Sequence, residues 1–513
     1  MKRSILPLCI VTISFALRFF FISQGPYHVD TLKLAMNAEA FLETFRLPMQ
    51  SGLGFPLTVM LGALSLSFLR LFSVNDPVFA VNFMSVIFGS LSVGVFYLWV
   101  KKCLNMKTAL FGSLLFSVSP IFWGLSVYGK SHTPCVFFLL TGLYLWARAA
   151  EQRSVRLLVL GAISLGFMGA ARVVDLGLLL IPLLFYVTTL PKPLGRKTNA
   201  GSDATSARSA GPGLFDRKGF RVGISCLTIV GIMFILYLPL LIGQDLATRQ
   251  SFFLNDVRVG LWENFMGLAS PRLWTALQFL RIDSSVIGMI LVWVGLFFLL
   301  LRQRAMGGFL ILWMLFTLLF YGNLHMTVTS RYFVILTPAL YAALGYALAC
   351  LANGRMLKTA LASLLLIALC VRSVIFMYPL LQARHRHAIL PAFTRWVART
   401  VPAGSVIICA DESAFFKYYT PLRVMGRPLD LFGYAPETLK DYQNRLDTLL
   451  AAGMPLYIHE GSLYAYNPDD QFREFFLKHY TLTYQGTHLY EDWHAGFLKQ
   501  QVYPFALYRV TWR

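Results

Sequence analysis

Long apolar runs recur along most of this chain. They lie near residues 5–23, 56–72, 78–100, 108–125, 134–150, 155–171, 174–190, 222–242, 284–301, 306–321, 332–351 and 357–378. Each approaches the ~20 residues that a helix needs to cross bilayer hydrocarbon. From about Gln382 the pattern changes. Short apolar runs, Ser405-Val406-Ile407-Ile408-Cys409 and Leu456-Tyr457-Ile458, alternate with helical stretches such as 436–452. That alternation predicts a small α/β domain, long enough for its own core. The expected architecture is mainly α: a polytopic transmembrane helical bundle over residues 1–380, then a C-terminal α/β domain over 381–513.

Composition agrees with the pattern. Of 513 residues, 57% are hydrophobic and 13% charged, which excludes an ordinary soluble protein. A formal net charge of +21 would point to nucleic acid in a soluble chain. Here the positive charge sits in short loops between apolar runs, so it reads as membrane topology, and membrane lipids rather than nucleic acid are the expected surroundings. The first run follows Lys2 and Arg3 and lacks a small-residue cleavage site, so it reads as a retained signal anchor. Six of the seven cysteines lie in or beside apolar runs, and Cys409 stands alone in the polar C-terminal region, which leaves that region no internal disulfide.

The basic clusters fix the expected sidedness. Lys2/Arg3, Lys101/Lys102/Lys107, Arg148/Arg153/Arg156, the run Lys192–Arg221, Arg302/Arg304 and Arg355/Lys358 all fall on the cytoplasmic side only if 56–72 does not span. That run follows Gly52-Leu53-Gly54-Phe55-Pro56, a suitable break before a short interfacial helix. About eleven spans remain, with a cytoplasmic N-terminus and an extracytoplasmic C-terminal domain. The loop 24–77, the turn 128–133, the loop 243–283 and the loop 322–331 then share the outer face. The stretch Thr198–Gly213, rich in Gly, Ser and Ala, reads as a cytoplasmic linker without chemistry.

Asp30 is the outstanding polar residue on that face. An acid at the mouth of a span is a functional candidate by default; the plain alternative is a solvated loop acid. The order of motifs around it resembles the GT-C superfamily of polytopic glycosyltransferases, in particular the branch of protein O-mannosyltransferases and lipid A aminoarabinose transferase. The resemblance runs through about residues 5–380. Asp30 stands where that group carries an Asp-Glu pair, with Thr31 in place of the second acid. Gly54-Phe55-Pro56-Leu57 partly matches the proline motif before a juxtamembrane helix. Asn105 to Gly112, Ser119-Pro120, Ala171-Arg172 through Leu183 with Pro182, and Ser330-Arg331-Tyr332-Phe333 with Pro338 follow in the family order. Where the group often has an acid after the third span, this chain has Lys130, His132 and Thr133.

The resemblance implies an inverting transfer of a sugar from a polyprenyl-phosphate donor to a lipid, glycan or protein acceptor, in a membrane such as the bacterial inner membrane. Such a donor leaves as a phosphate that is already stable, so the reaction needs one base and several cations rather than the paired carboxylates of glycoside hydrolysis. Asp30 is the expected base, with Glu39 in reserve. Arg331 is a candidate for bidentate phosphate contact, or a snorkelling interfacial arginine. Lys130 and His132 are candidates for phosphate, or an ordinary polar turn. Arg172, with Asp175 nearby, is either a substrate contact or half of an internal ion pair. Arg258 and Glu263 flank Trp262 in a loop that either covers the donor or meets the membrane interface.

His28, Asp30, His132 and His325 lack metal-ligand spacing, and Arg384-His385-Arg386-His387 reads as a charged interface segment. With no Gly-rich nucleotide fingerprint either, no metal and no cofactor are expected. Two other classes compete: a transporter or flippase, which would show internal repeats or polar broken helices at mid-membrane, and a non-catalytic assembly protein, which the missing second acid would suit.

Overall fold

The structure, a computed structural model, describes residues 5–47, 55–189, 218–242, 271–322, 330–353, 356–409, 412–427, 438–464, 471–492 and 501–513. Two compact units emerge. The first comprises residues 1–22 and 34–382, the second residues 23–33 and 383–513.

The first unit is helical. Its elements are α1 (Ile5–Phe20), most of α2 (Val29–Thr44), α3 (Pro56–Arg70), α4 (Pro77–Cys103), α5 (Met106–Ser117), α6 (Pro120–Leu125), α7 (His132–Gln152), α8 (Val155–Ala171), α9 (Val173–Thr189), α10 (Lys218–Ile242), α11 (Pro271–Arg302), α12 (Arg304–Tyr321), a 3-10 turn (Ser330–Leu336), α13 (Thr337–Leu351) and most of α14 (Met356–Arg386). Among the described residues seven helical stretches are long and apolar enough to cross a membrane, and four shorter apolar helices accompany them. This is a multi-pass membrane protein. The helix α3 has 15 residues, about 22 Å, short of the ~30 Å hydrocarbon core. Length alone does not separate it from α1, α8 and α9.

Local sequence sets the helix starts. Asp76 caps α4, its Oδ1 accepting from Val78 N (2.8 Å), with Pro77 in the first turn. Asn105 caps α5 through Thr108 N (2.9 Å). Ser154 caps α8. The apolar run 108–125 is not one helix. It breaks between α5 and α6, where Ser119 caps the second piece and Pro120 follows. The run 284–301 belongs to the longer α11, which kinks where Ser285 takes φ +70°.

The centre of the unit is the stretch Ser330–Leu351, most of whose residues are buried, whereas few residues of Lys218–Pro239 are buried and Leu227, Val230, Phe234 and Ile235 are exposed. That centre is rich in small residues, which let backbones approach. A Cβ on Gly345 would lie 2.7 Å from Thr108 O, and one on Gly112 would lie 2.8 Å from Tyr341 O. Glycine is therefore required on both sides of the α5–α13 contact.

The second unit carries a five-stranded sheet of β1 (Val406–Cys409), β2 (Arg423–Gly426), β3 (Leu456–His459), β4 (Tyr480–Asp492) and β5 (Gln501–Trp512), in the order β2-β1-β3-β5-β4. The first three strands are parallel, and β5 runs antiparallel to both β3 and β4. Helices α15 (Ile389–Thr400), α16 (Ser413–Tyr419), α17 (Leu439–Ala451), α18 (Glu460–Tyr464) and α19 (Gln471–His479) complete the unit. The helix expected over 436–452 is α17. Val406 and Ile408 pack on Tyr442, Leu446 and Phe472 on one face, while Ile407 and Cys409 pack on Phe393, Val397 and Phe416 on the other. Burial on both faces is why β1 reads as an unbroken apolar run.

His459, at the end of β3, is fully buried. Its Nε2 lies 2.7 Å from Ser462 Oγ and 3.7 Å from Glu412 Oε2. Burial, helped by Arg427, pushes its pKa from 6.5 down to about 3, while burial raises that of Glu412. The folded imidazole stays neutral while the unfolded one protonates below 6.5, so its contribution is complete above 6.5 and is lost as pH falls towards 3. Glu412 has the opposite sign. The expected result is that His459→Gln flattens the decline in melting temperature between pH 6.5 and 3, measured on the full protein by a thermal scan that follows the sheet.

Candidate active site

The turn between α6 and α7 is the start of the site in the first unit. Gly129 N donates to Asn82 Oδ1 (2.7 Å) and Lys130 N donates to Ser85 Oγ (3.2 Å), so two polar residues on successive turns of α4 hold the turn's backbone. Lys130, Ser131, His132 and Thr133 are all buried. They do not form a solvated surface turn.

The break between α8 and α9 brings a second polar group to Ser131. Arg172 adopts an extended conformation there, ending α8. Its Nε donates to Asp175 Oδ2 at 2.5 Å and its Nη1 to Ser131 Oγ at 3.3 Å, while its guanidinium lies over the Phe55 ring at 5.7 Å. Asp175, also buried, accepts from Tyr321 Oη at the end of α12 and from Cys135 Sγ (3.5 Å). Tyr321 stacks on Tyr332 with ring centroids 5.2 Å apart. Arg331 lies over Tyr332 at 5.2 Å and its Nη2 approaches Tyr332 Oη at 3.4 Å. A continuous line thus runs Ser131, Arg172, Asp175, Tyr321, Tyr332, Arg331.

That line joins Arg172 and Arg331 to the turn bearing Lys130 and His132, four residues singled out from the sequence. The Arg172–Asp175 ion pair is formed. Tyr321 and Tyr332 link the two arginines and were not singled out as candidates. Their signal in the sequence is weak, since tyrosines at span ends are common at membrane interfaces. Arg258 and Glu263 lie outside the described residues, as does His325.

Asp30 belongs to the second unit and sits in the first turn of α2, where a carboxylate suits the helix dipole. Its side chain is 52% exposed, and its Oδ2 lies 3.2 Å from His28 Nδ1. The Asp30 amide also lies 3.0 Å from that same Nδ1. The segment before it is tied to the end of α14. Gln24 N donates to Arg384 O (3.3 Å), and the Arg384 guanidinium lies 3.9 Å over the Tyr27 ring. A Cβ on Gly25 would come 2.8 Å from Ala388 Cβ, so this close approach requires glycine. Among the described residues no group of three or more His, Cys, Asp or Glu converges as a metal cluster.

The architecture has known counterparts. ArnT from Cupriavidus metallidurans, bound to undecaprenyl phosphate, superposes with a TM-score of 0.57 at 14% identity, covering 98% of this chain and 97% of that one. The fold is that of the GT-C glycosyltransferases. AglB, an oligosaccharyltransferase from Archaeoglobus fulgidus in complex with an inhibitory peptide and a dolichol-phosphate, shares this GT-C fold with a TM-score of 0.56 at 13% identity, covering 94% of this chain and 73% of that one. The arabinofuranosyltransferase AftD from Mycobacteria gives 0.51 at 14% identity, covering 100% of this chain and 40% of that one. Within the GT-C frame, residues 58–199 carry the sequence pattern of the family described as dolichyl-phosphate-mannose-protein mannosyltransferase. That stretch includes Lys130, His132 and Arg172, whereas Asp30 and Arg331 lie beyond it. No curated protein sequence matches the chain.

The polar line generates a stability test. Removing one member of a buried ion pair costs about 3–5 kcal/mol, because the partner is left uncompensated. Asp175→Ala is expected to lower the melting temperature in detergent well below that of the double variant Arg172→Gln/Asp175→Asn, which removes both charges. Equal losses would show that the two residues do not act as a pair.

Proposed function

We propose that this protein transfers a sugar from a polyprenyl-phosphate donor to an acceptor at the extracytoplasmic face of the membrane. The observation that carries the reading is the GT-C likeness over nearly the whole chain, its C-terminal α/β unit included, to a protein covered along 97% of its own length. The matched pattern over 58–199 supports the same donor class.

In the proposed reaction the acceptor hydroxyl or amine attacks the anomeric carbon from the face opposite the phosphate. The carbon–oxygen bond to phosphate breaks, the configuration inverts, and the carrier leaves as its monophosphate. Asp30 takes the acceptor's proton. Its exposure and its position at the start of α2 favour that role. Lys130, His132, Arg172 and Arg331 provide positive charge for the phosphate, with Arg172 held in place by Asp175. Arg258 and Glu263 are proposed as further substrate contacts from the loop between α10 and α11. No step calls for a metal or cofactor in this reading. Cytoplasmic basic loops and an extracytoplasmic second unit follow from the charge distribution, and a bacterial inner membrane is the proposed location.

The test is transfer by purified protein supplied with a panel of polyprenyl-phosphate sugars. A general base contributes about 10²–10⁴ to the rate, so Asp30→Asn is expected to reduce turnover by at least about a hundredfold with the melting temperature unchanged. A folded Asp30→Asn protein that turns over normally would remove Asp30 from the mechanism. Absence of transfer by the wild type with every donor in the panel would favour the non-catalytic reading that Thr31, in place of a second acid, keeps open.

A further inference from the structure

Arg18 stands two residues before the end of α1 and is fully buried within the first unit. Its Nη1 donates to the carbonyl and hydroxyl oxygens of Ser14, one turn earlier, at 3.2 and 2.5 Å. Among the described residues its Nε and Nη2 have no hydrogen-bond partner and no ion pair includes it. The guanidinium lies 5.2 Å over the ring of Phe122 on α6. The next residue, Trp123, packs edge-on against Phe21, and its buried Nε1 likewise has no hydrogen-bond partner among the described residues.

The surroundings are shaped around this group. A Cβ on Gly89 of α4 would lie 3.1 Å from Arg18 Nε and 2.6 Å from Ser126 Oγ, so only glycine leaves room. Gly89 is one turn beyond Ser85, which holds Lys130 N. At 1.5 Å per residue that is about 6 Å along α4. The orphaned groups at this junction of α1, α4 and α6 are all donors. A guanidinium in an apolar interior without a counter-charge costs several kcal/mol, and the group that resolves this is an acceptor-rich anion. The planar fork of arginine suits the oxygens of a phosphate.

We propose that Arg18 binds the phosphate of the polyprenyl carrier, one helical turn along α4 from the turn that bears Lys130. This rests on the donor class proposed above. The sugar-linked donor is a phosphodiester with one negative charge. The released carrier is a monoester that gains a second. An otherwise uncompensated arginine therefore binds the group more strongly as the bond to sugar breaks, and it favours the monophosphate over a phospholipid diester.

The experiment uses full-length protein in nanodiscs of zwitterionic lipid, without any sugar donor. Retention of undecaprenyl phosphate, undecaprenol and phosphatidylglycerol is measured by native mass spectrometry. The wild type is expected to retain undecaprenyl phosphate over both others. Arg18→Gln is expected to weaken that binding roughly ten- to a hundredfold, with Arg18→Lys intermediate because it keeps the charge and loses the fork. Unchanged affinity in a folded Arg18→Gln protein overturns the proposal. Should that variant not fold, equal retention of undecaprenyl phosphate and undecaprenol by the wild type overturns it, as does a preference for phosphatidylglycerol. A protein that binds the carrier through Arg18 but transfers no sugar refutes the transferase reading alone. One that transfers sugar and binds the carrier independently of Arg18 refutes this proposal alone.

Discussion

A chain inside hydrocarbon must satisfy every peptide group that a helix break sets free. Asp283 does this for the centre of the first unit. Its Oδ1 accepts from Ser119 Oγ (2.9 Å) and from Ile121 N (2.7 Å), closing the gap between α5 and α6. Its Oδ2 accepts from Tyr341 Oη (3.0 Å) on the central helix. The same residue lies at the kink of α11, where Arg372 Nη1 donates to its carbonyl (3.2 Å) and Ser285 Oγ accepts from Gly288 N (3.0 Å). Two broken helices thus repair one another through one carboxylate. The break is what releases α6 into the polar turn that carries Lys130, so the candidate site depends on it.

The buried charges of the unit form a graded set on this view. Asp283 is surrounded by donors and anchors a break. Asp175 is surrounded by donors and holds Arg172, so both its oxygens are engaged in structure. A carboxylate so engaged has little capacity left to accept a substrate proton. Asp30, by contrast, has a half-exposed side chain, which suits the proton-accepting role proposed for it. Arg18 is the complementary case, a cation whose remaining donors point at nothing supplied by the described protein. Among the described residues both oxygens of Asp175 and of Asp283 are engaged, whereas Arg18 keeps donors that the phosphate proposed above would meet.

The spans were legible because hydrocarbon tolerates so few residue types, and the small sheet was legible from the runs Val406–Cys409 and Leu456–His459. Ion pairs between near neighbours were legible too, as with Arg172 and Asp175. The linkage of Tyr321 and Tyr332 to Asp175 was not, since it joins elements far apart in sequence. Asp283 carried a signal that hydropathy averaging hid: one acid inside the run Leu280-Arg281-Ile282-Asp283-Ser284-Ser285 is costly enough to demand partners. The same reasoning applies to Arg18. The grouping of residues 23–33 with 383–513 depends on contacts such as Gly25 against Ala388, which no periodicity encodes.

The absence of a second acid beside Asp30 acquires a physical reading from the turn it occupies. Thr31 is fully buried, and its amide donates to His28 O at 2.9 Å, whereas the neighbouring Asp30 side chain faces outward. The two positions therefore meet different surroundings although they adjoin. A carboxylate at 31 would enter an enclosed position and need its own donors there, while the exposed position keeps its acid. Threonine at 31 alters the interior of this turn and leaves the exposed carboxylate in place, with His28 Nδ1 beside it. The proposed transfer, whose leaving group is an already stable phosphate, asks for a single base, and the exposed carboxylate of this turn is the one proposed for it.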